Sequence, residues 1–261
     1  MFEILQDLCN LLFEFSNIDR LNILLELRKK PLKLSSVAKK FRFTVPETAR
    51  NISRLQEVKL ISKDVGGCFY LTPYGEETLN LLEGFRFISN NREYFLTHTP
   101  LRLPLEFAVG LGALKKCEFI GQFTEMLQRI ENIIREAQEY VWFIADQLLA
   151  SGLPLAVEAV KRGVEFRKIL PKSTVLPASI LELASNSVFN QAARKKKFES
   201  RYLDRVDVAI FISEKNLTGI SFPNLAGKFD YVGFSNGDES AHSWSKSLFS
   251  YYWDRASPSI S

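Results

Sequence analysis

Apolar positions along this chain follow two regimes. Up to residue 95 they recur at helical spacing, and beyond 104 they gather into short continuous runs between amphipathic helices. Residues 3–15 place Ile4, Leu5, Leu8, Leu11, Leu12 and Phe15 on one wide face, and 18–29 resume through Leu21, Leu24, Leu25 and Leu27. Arg28, Lys29 and Lys30 sit in the last turn, where cations suit the helix dipole, and Pro31 stops the helix. Leu34, Val37, Ala38 and Phe41 then predict a helix over 34–41. Thr44 stands where an N-cap belongs, Pro46 falls in the first turn, and Glu47 is the capping-box partner three residues on. From there Thr48, Ile52 and Leu55 form a narrow buried stripe, with Glu47, Arg50, Asn51 and Arg54 expected on the open face. Two short strands come next, 61–63 and 68–71, around a turn in which Gly66-Gly67 supplies positive φ. Helices closed by such a hairpin predict a winged helix-turn-helix.

Residues 73–95 read as one long helix, through Leu79, Leu82, Phe85, Ile88 and Phe95, that either pairs two copies of the chain or docks on the C-terminal domain. The stretch 97–104 holds two prolines and little periodicity and is the expected linker between domains 1–96 and 105–261. Thereafter α and β alternate. Helices are predicted at 124–138, 153–162, 180–202 and 238–255, and strands at 139–145, 164–170, 206–212, 217–222 and 230–235. Near-continuous apolar strands between helices predict an α/β domain with a mostly parallel sheet covered on both faces, so the chain as a whole is expected to be a two-domain α+β protein.

Charge sharpens the first domain. Between residues 28 and 63 eleven Lys and Arg face only Glu47 and Glu57, a local +9 in a chain whose net charge is +4. Counter-ion release rewards such a patch on any nucleic acid, and a helix with one buried stripe fits the major groove. The expected partner is double-stranded DNA, with Arg50 and Asn51 reading bases, Thr44 and Glu47 opening the helix beside them, and Arg54, Lys39, Lys40 and Lys63 on phosphates. One helix reads few base pairs, so a homodimer is expected. The three cysteines are scattered without a C-x-x-C pair and there are two histidines, which argues for reduced thiols and against a metal centre. No apolar run approaches the ~20 residues of a membrane span and the N-terminus is acidic, so a cytoplasmic protein away from membranes is expected.

Several stretches resemble known families. Leu34-x-x-Val37-Ala38, Thr44, Leu55-Gln56-Glu57-x-x-Leu60-Ile61 and Leu71-Thr72-x-x-Gly75 look like the winged-helix domain of archaeal ArsR-like transcriptional regulators. This chain departs from them at Lys59, where glycine is usual, and at Val45 and Pro46. Glu139-Tyr140-Val141-Trp142, Ala159-x-x-Arg162-Gly163-Val164, Val206-Asp207 to Phe211-Ile212-Ser213 and Phe249-x-x-Tyr252-Trp253 resemble the middle domain of the methanogenesis regulatory protein, which comes after a winged helix in archaeal regulators. Together these resemblances imply an architecture and a role, a DNA-binding regulator with an effector domain, and do not name a substrate.

The second domain also resembles half of a phospholipase D fold, which makes a phosphodiesterase-like enzyme the alternative and a protein–protein adaptor the third reading. Those enzymes need H-x-K-x4-D, whereas His98 precedes Thr99-Pro100 and His242 precedes Ser243-Trp244. Without the nucleophile the covalent phosphoryl route is closed, so no catalytic residue and no cofactor is expected. His98 is expected at the surface, and the basic run 194–197 on a helix. An effector of small, anionic type is expected at the carboxyl ends of parallel strands, near Asp146, Gln147, Lys172, Ser173 and Ser213.

Overall fold

A computed structural model describes residues 2–175, 187–215 and 218–258. The chain divides into two compact units, Met1–Leu82 and Glu83–Ser261.

In the first unit α1 (Phe2–Phe15) and α2 (Ile18–Leu27) precede a two-residue strand β1 (Leu32–Lys33), then α3 (Leu34–Phe41), α4 (Val45–Glu57), β2 (Ile61–Lys63) and β3 (Cys68–Leu71). The strands pair antiparallel in the order β1-β3-β2, with Leu32 opposite Phe69 and Lys63 opposite Phe69 on the other side. Ile23, Leu24, Val37, Leu55 and Leu60 form a fully buried core, the apolar stripes of three helices meeting under the wing. The cap of α4 is reciprocal: Thr44 Oγ1 accepts from the Glu47 amide at 3.3 Å and Glu47 Oε2 accepts from the Thr44 amide at 3.4 Å. This arrangement is that of a winged helix-turn-helix.

The motif Thr72-x-x-Gly75 closes the wing for a steric reason. Thr72 donates its amide to the Leu60 carbonyl and accepts from the Gly75 amide, opening α5 (Pro73–Asn90) against the strand. A Cβ at Gly75 would stand 2.1 Å from the Leu60 oxygen, so only glycine allows the approach.

The second unit continues with α6 (Arg92–Phe95), α7 (Leu105–Val109), a 3-10 helix Gly110–Leu114, β4 (Glu118–Ile120), α8 (Phe123–Glu136), β5 (Tyr140–Ile144), α9 (Gly152–Lys161) and β6 (Glu165–Pro171). After it come α10 (Ser187–Arg194), β7 (Phe198–Leu203), β8 (Ala209–Ser213), β9 (Thr218–Ser221), β10 (Gly233–Ser235) and α11 (Glu239–Arg255). Seven strands form one sheet, ordered β4-β10-β9-β8-β5-β6-β7.

That sheet is mixed and not mostly parallel. Only β5/β6 and β6/β7 run parallel; β8 turns against β5, and β9, β10 and β4 continue antiparallel. The apolar runs misled because both faces are covered whatever the strand direction. Ile210 and Ile212 of β8 face the cluster holding α11, while Ala209 and Phe211 face the cluster of α8, α9 and α10. Two further expectations change. Of the helix expected over 180–202, residues 187–194 are helical and 198–203 are the edge strand β7; residues 180–186 lie outside the described residues. Residues 97–104 are no free linker: His98 bridges to Asn224, the Thr99 amide donates to the Pro223 carbonyl, and Leu103 is 6% exposed inside the second unit. Its Pro104 precedes α7 and Leu101 is exposed, but Leu103 still buries.

Candidate nucleic-acid interface and ligand sites

The open face of α4 differs in part from the expected one. Thr48, Asn51, Ile52 and Leu55 are its buried residues, and Asn51 is 5% exposed. Asn51 is therefore removed from base readout. At about 100° per residue it falls some 60° from Thr48, inside the apolar stripe, whereas Arg50 falls about 200° away. Thr44, Val45, Pro46, Ala49, Arg50 and Ser53 are exposed and make up the open face, Ala49 and Ser53 being additions that the same angular bookkeeping predicts, and Val45 being exposed because it is the first residue of the helix. Glu47 is committed to the cap.

The basic residues separate into free and engaged. Lys39, Arg50 and Lys63 are exposed, and among the described residues none of them has an ion-pair partner. Lys63 Nζ stands 5.5 Å from the centre of the Phe69 ring, which braces it on the wing. Arg42 and Lys59, both exposed, take left-handed conformations with φ of 59° and 63° at the ends of α3 and α4. Arg54, expected on phosphate, is engaged instead: its Nη2 lies 2.8 Å from Glu14 Oε1, and its guanidinium also covers the Phe13 ring. Glu14 is 4% exposed and pairs with buried Arg20 at 2.6 Å. Lys40 is likewise tied to Glu26 at 2.8 Å, and with Lys29 holds that carboxyl below its usual range.

In the second unit the expected ligand residues do not converge. Asp146, Gln147, Lys172 and Ser173 lie at the carboxyl ends of parallel β5 and β6. Ser213 is at the other end of the sheet, because antiparallel β8 places it opposite Val141, about 16 Å along the strand from Asp146. It is also 1% exposed, and its carbonyl accepts from His242 Nε2 at 2.7 Å. Asp146 accepts from the Tyr231 hydroxyl at 2.6 Å, and burial ahead of that carboxylate drives the phenol pKa up. Lys172 pairs with Asp204 at 3.2 Å. The run 194–197 is mostly a turn, with Lys196 at φ 56°, and the Lys197 carbonyl accepts from Phe166 at the start of β6, the end remote from Lys172.

His98 is buried, its ring stacked at 4.1 Å on Tyr94 and its Nε2 3.0 Å from Asp230, a clip between 98 and 230. Tyr94 fastens the same corner by accepting from the Phe222 amide at 2.9 Å, and burial raises its pKa. No group of three metal-ligating side chains occurs among the described residues, and no helix among them is long and apolar enough to cross a membrane. One residue passed over in sequence is Lys168. In β6 it shares the parity of Phe166 and Leu170, so its side chain enters the apolar side of the sheet.

Two solved structures are similar over large parts of the chain. One is that of TrmBL2, an archaeal chromatin protein, described as showing a novel mode of DNA binding; it is 16% identical over 93% of this chain and 94% of that one, with a TM-score of 0.43. Another is a phospholipase D family member, Nuc, from Salmonella typhimurium, 14% identical over 51% of this chain and 89% of that one, with a TM-score of 0.37. No curated protein matches in sequence. Residues 123–255 match the family described as the methanogenesis regulatory protein FilR1, middle domain. That match runs from the first residue of α8 to the last of α11, over half of the 261 residues, and the chain belongs to this family of regulatory proteins.

Proposed function

We propose that this chain is a sequence-specific, ArsR-like transcriptional regulator that works in the cytoplasm as a homodimer on double-stranded DNA and answers to a small effector through its second unit. The observation that carries the DNA reading is Arg50, an exposed guanidinium in the middle of the open face of α4, with exposed Lys39 and Lys63 in the same small unit, all three without an ion-pair partner among the described residues. A guanidinium presents two parallel donors to O6 and N7 of guanine, and an isolated α-helix fits the ~12 Å major groove. Lys39 and Lys63 take phosphates, as do Arg42 and Lys59, and the Thr44 hydroxyl retains a proton to donate to one. The homodimer reading rests on the exposed stripe of α1, where Leu5, Leu8, Leu12 and Phe13 are each about half exposed (47–57%). Such a face is costly to leave in water and suits a second copy.

The test begins by selecting bound fragments from genomic DNA. Arg50→Ala is then expected to cost about 1–3 kcal/mol on the selected site and little on random duplex. Equal losses on both would assign Arg50 to phosphate and remove the base-readout reading. Light scattering is expected to show two chains per particle.

A further inference from the structure

On the side of the sheet covered by α8, α9 and α10 there is a cavity lined almost wholly by hydrocarbon and aromatic rings. Phe143, Phe166, Phe189, Phe198 and Phe211 contribute to its wall, with Ile130 above them. Register explains its floor: Phe211 of β8, Phe143 of β5 and Lys168 of β6 lie side by side in one row across the strands, and Ser200 of β7 continues it. An apolar residue would be the ordinary occupant of the third place. Lysine there carries an ammonium into the cavity, where its Nζ sits 5.1 Å from the centre of the Phe198 ring. No carboxylate of the described residues offsets its desolvation, and burial brings its pKa down to about 8. The other ionisable side chain lining the cavity among the described residues is Glu131 of α8.

We propose that this cavity is the effector site of the second unit and that it takes a short apolar carboxylic acid, the carboxylate on Lys168 Nζ and the hydrocarbon part among the phenylalanines. The proposal deepens the reading of the second unit as a sensing module. A cation–π contact recovers only part of what an ammonium loses in leaving water, and an anion brought by the ligand supplies the rest. The apolar wall rewards a hydrophobic tail and excludes strongly hydrated anions such as inorganic phosphate. Space open to the centre of a water molecule is about 70 Å³. That is several times the ~10–15 Å³ a single water requires, and it sets a short chain as the occupant.

The experiment is calorimetric titration of the full chain with hexanoate, with hexanamide and hexylamine as partners of equal length, and involves no DNA, so its outcome is independent of whether α4 reads an operator. Hexanoate is expected to bind once per chain, hexanamide at least tenfold more weakly and hexylamine more weakly still. Lys168→Met fills the position with an apolar side chain of similar length, and is expected to lose at least tenfold of the hexanoate affinity while keeping that for hexanamide. Proton linkage gives a second readout: binding a carboxylate to a lysine with a depressed pKa takes up a proton at pH 9 and not at pH 6, whereas adventitious binding to ordinary surface lysines takes up little at either. The proposal falls if hexanamide equals hexanoate, if hexylamine is preferred because Glu131 is the anchor, if Lys168→Met binds hexanoate like the wild type, if uptake at pH 9 does not exceed that at pH 6, or if hexanoate gives no binding at millimolar concentration.

Discussion

Arg54 offers a direct test of how this unit meets DNA, because by sequence it belongs with the phosphate contacts and in the fold it belongs to Glu14. Each phosphate neutralised by a free cation adds about 0.9 to the slope of log K against log salt, a factor of about 3.5 in affinity between about 50 and about 200 mM salt. Exposed Lys63, without a carboxylate partner among the described residues, is expected to contribute that full amount. Arg54 shares the Glu14 carboxylate with Arg20, at 2.8 Å from its own Nη2, so part of its charge is offset before DNA arrives. To reach a phosphate it must leave Glu14, which is 4% exposed and would keep Arg20 alone for a partner. Breaking up a buried charge cluster opposes that move more strongly than one surface phosphate contact favours it. Arg54→Ala is therefore expected to change the salt slope by far less than 0.9, and Lys63→Ala by about 0.9, in fluorescence anisotropy on a labelled duplex of random sequence. Glu14→Gln, which unties Arg54, is expected to steepen the slope. If Arg54→Ala and Lys63→Ala flatten it equally, the Glu14 pair does not hold in solution and the division into free and engaged cations is wrong.

Three further outcomes are expected. Gly75→Ala forces a Cβ to 2.1 Å from the Leu60 oxygen and is expected to lower stability on the order of 3 kcal/mol in denaturant titration, with the loss concentrated in amide exchange of the wing. Lys59→Gly relieves a left-handed φ of 63° and is expected to raise stability by about 1 kcal/mol, at the cost of one unit of salt slope if the side chain touches phosphate. Lys168 has a folded-state pKa near 8, below its unfolded value, so the unfolded chain binds more protons between pH 8 and ~10.4; wild-type stability is expected to rise across that window, and Lys168→Met to abolish the rise in thermal melts.

Most of the first unit was legible because its signals are local. A capping box, a proline in the first turn, a Gly-Gly hairpin and a Thr-x-x-Gly wing closure each declare themselves within five residues. Asn51 went astray through its polarity. Its angular position, three residues after Thr48 and four before Leu55, already put it in the stripe that buries. The engagement of Arg54 was not legible, since Glu14 lies forty residues away and nothing in the periodicity of α1 says which residue its carboxylate will meet. In the second unit the elements were readable but their directions were not. β7 hid inside a helical pattern because charged Glu199 and Arg201 break its apolar run on the side of the sheet that α11 covers, where Arg201 lies over the Trp253 ring and donates to its carbonyl at 2.7 Å.

The reversal of β8 decides where a ligand can be held. In an open parallel sheet every carboxyl end opens on the same crevice, so polar residues at successive strand ends accumulate there. Here β8 and β10 run against the other five strands, and the polar groups at the carboxyl ends of β5 and β6 are already satisfied: Asp146 by Tyr231, Lys172 by Asp204. Ser213, carried to the opposite end, spends its carbonyl on His242. Groups already paired gain little from a ligand, since a new contact must first break an old one. Lys168 is different in kind. It sits on the floor of the apolar cavity, its nearest compensation is the face of Phe198, and no carboxylate of the described residues shifts its pKa back up. Among the described residues of the second unit the unmet electrostatic demand therefore lies inside the helix-covered face and not at the strand ends, and the proposed effector would enter between the sheet and the helices α8, α9 and α10, where a change in packing is felt by three helices at once.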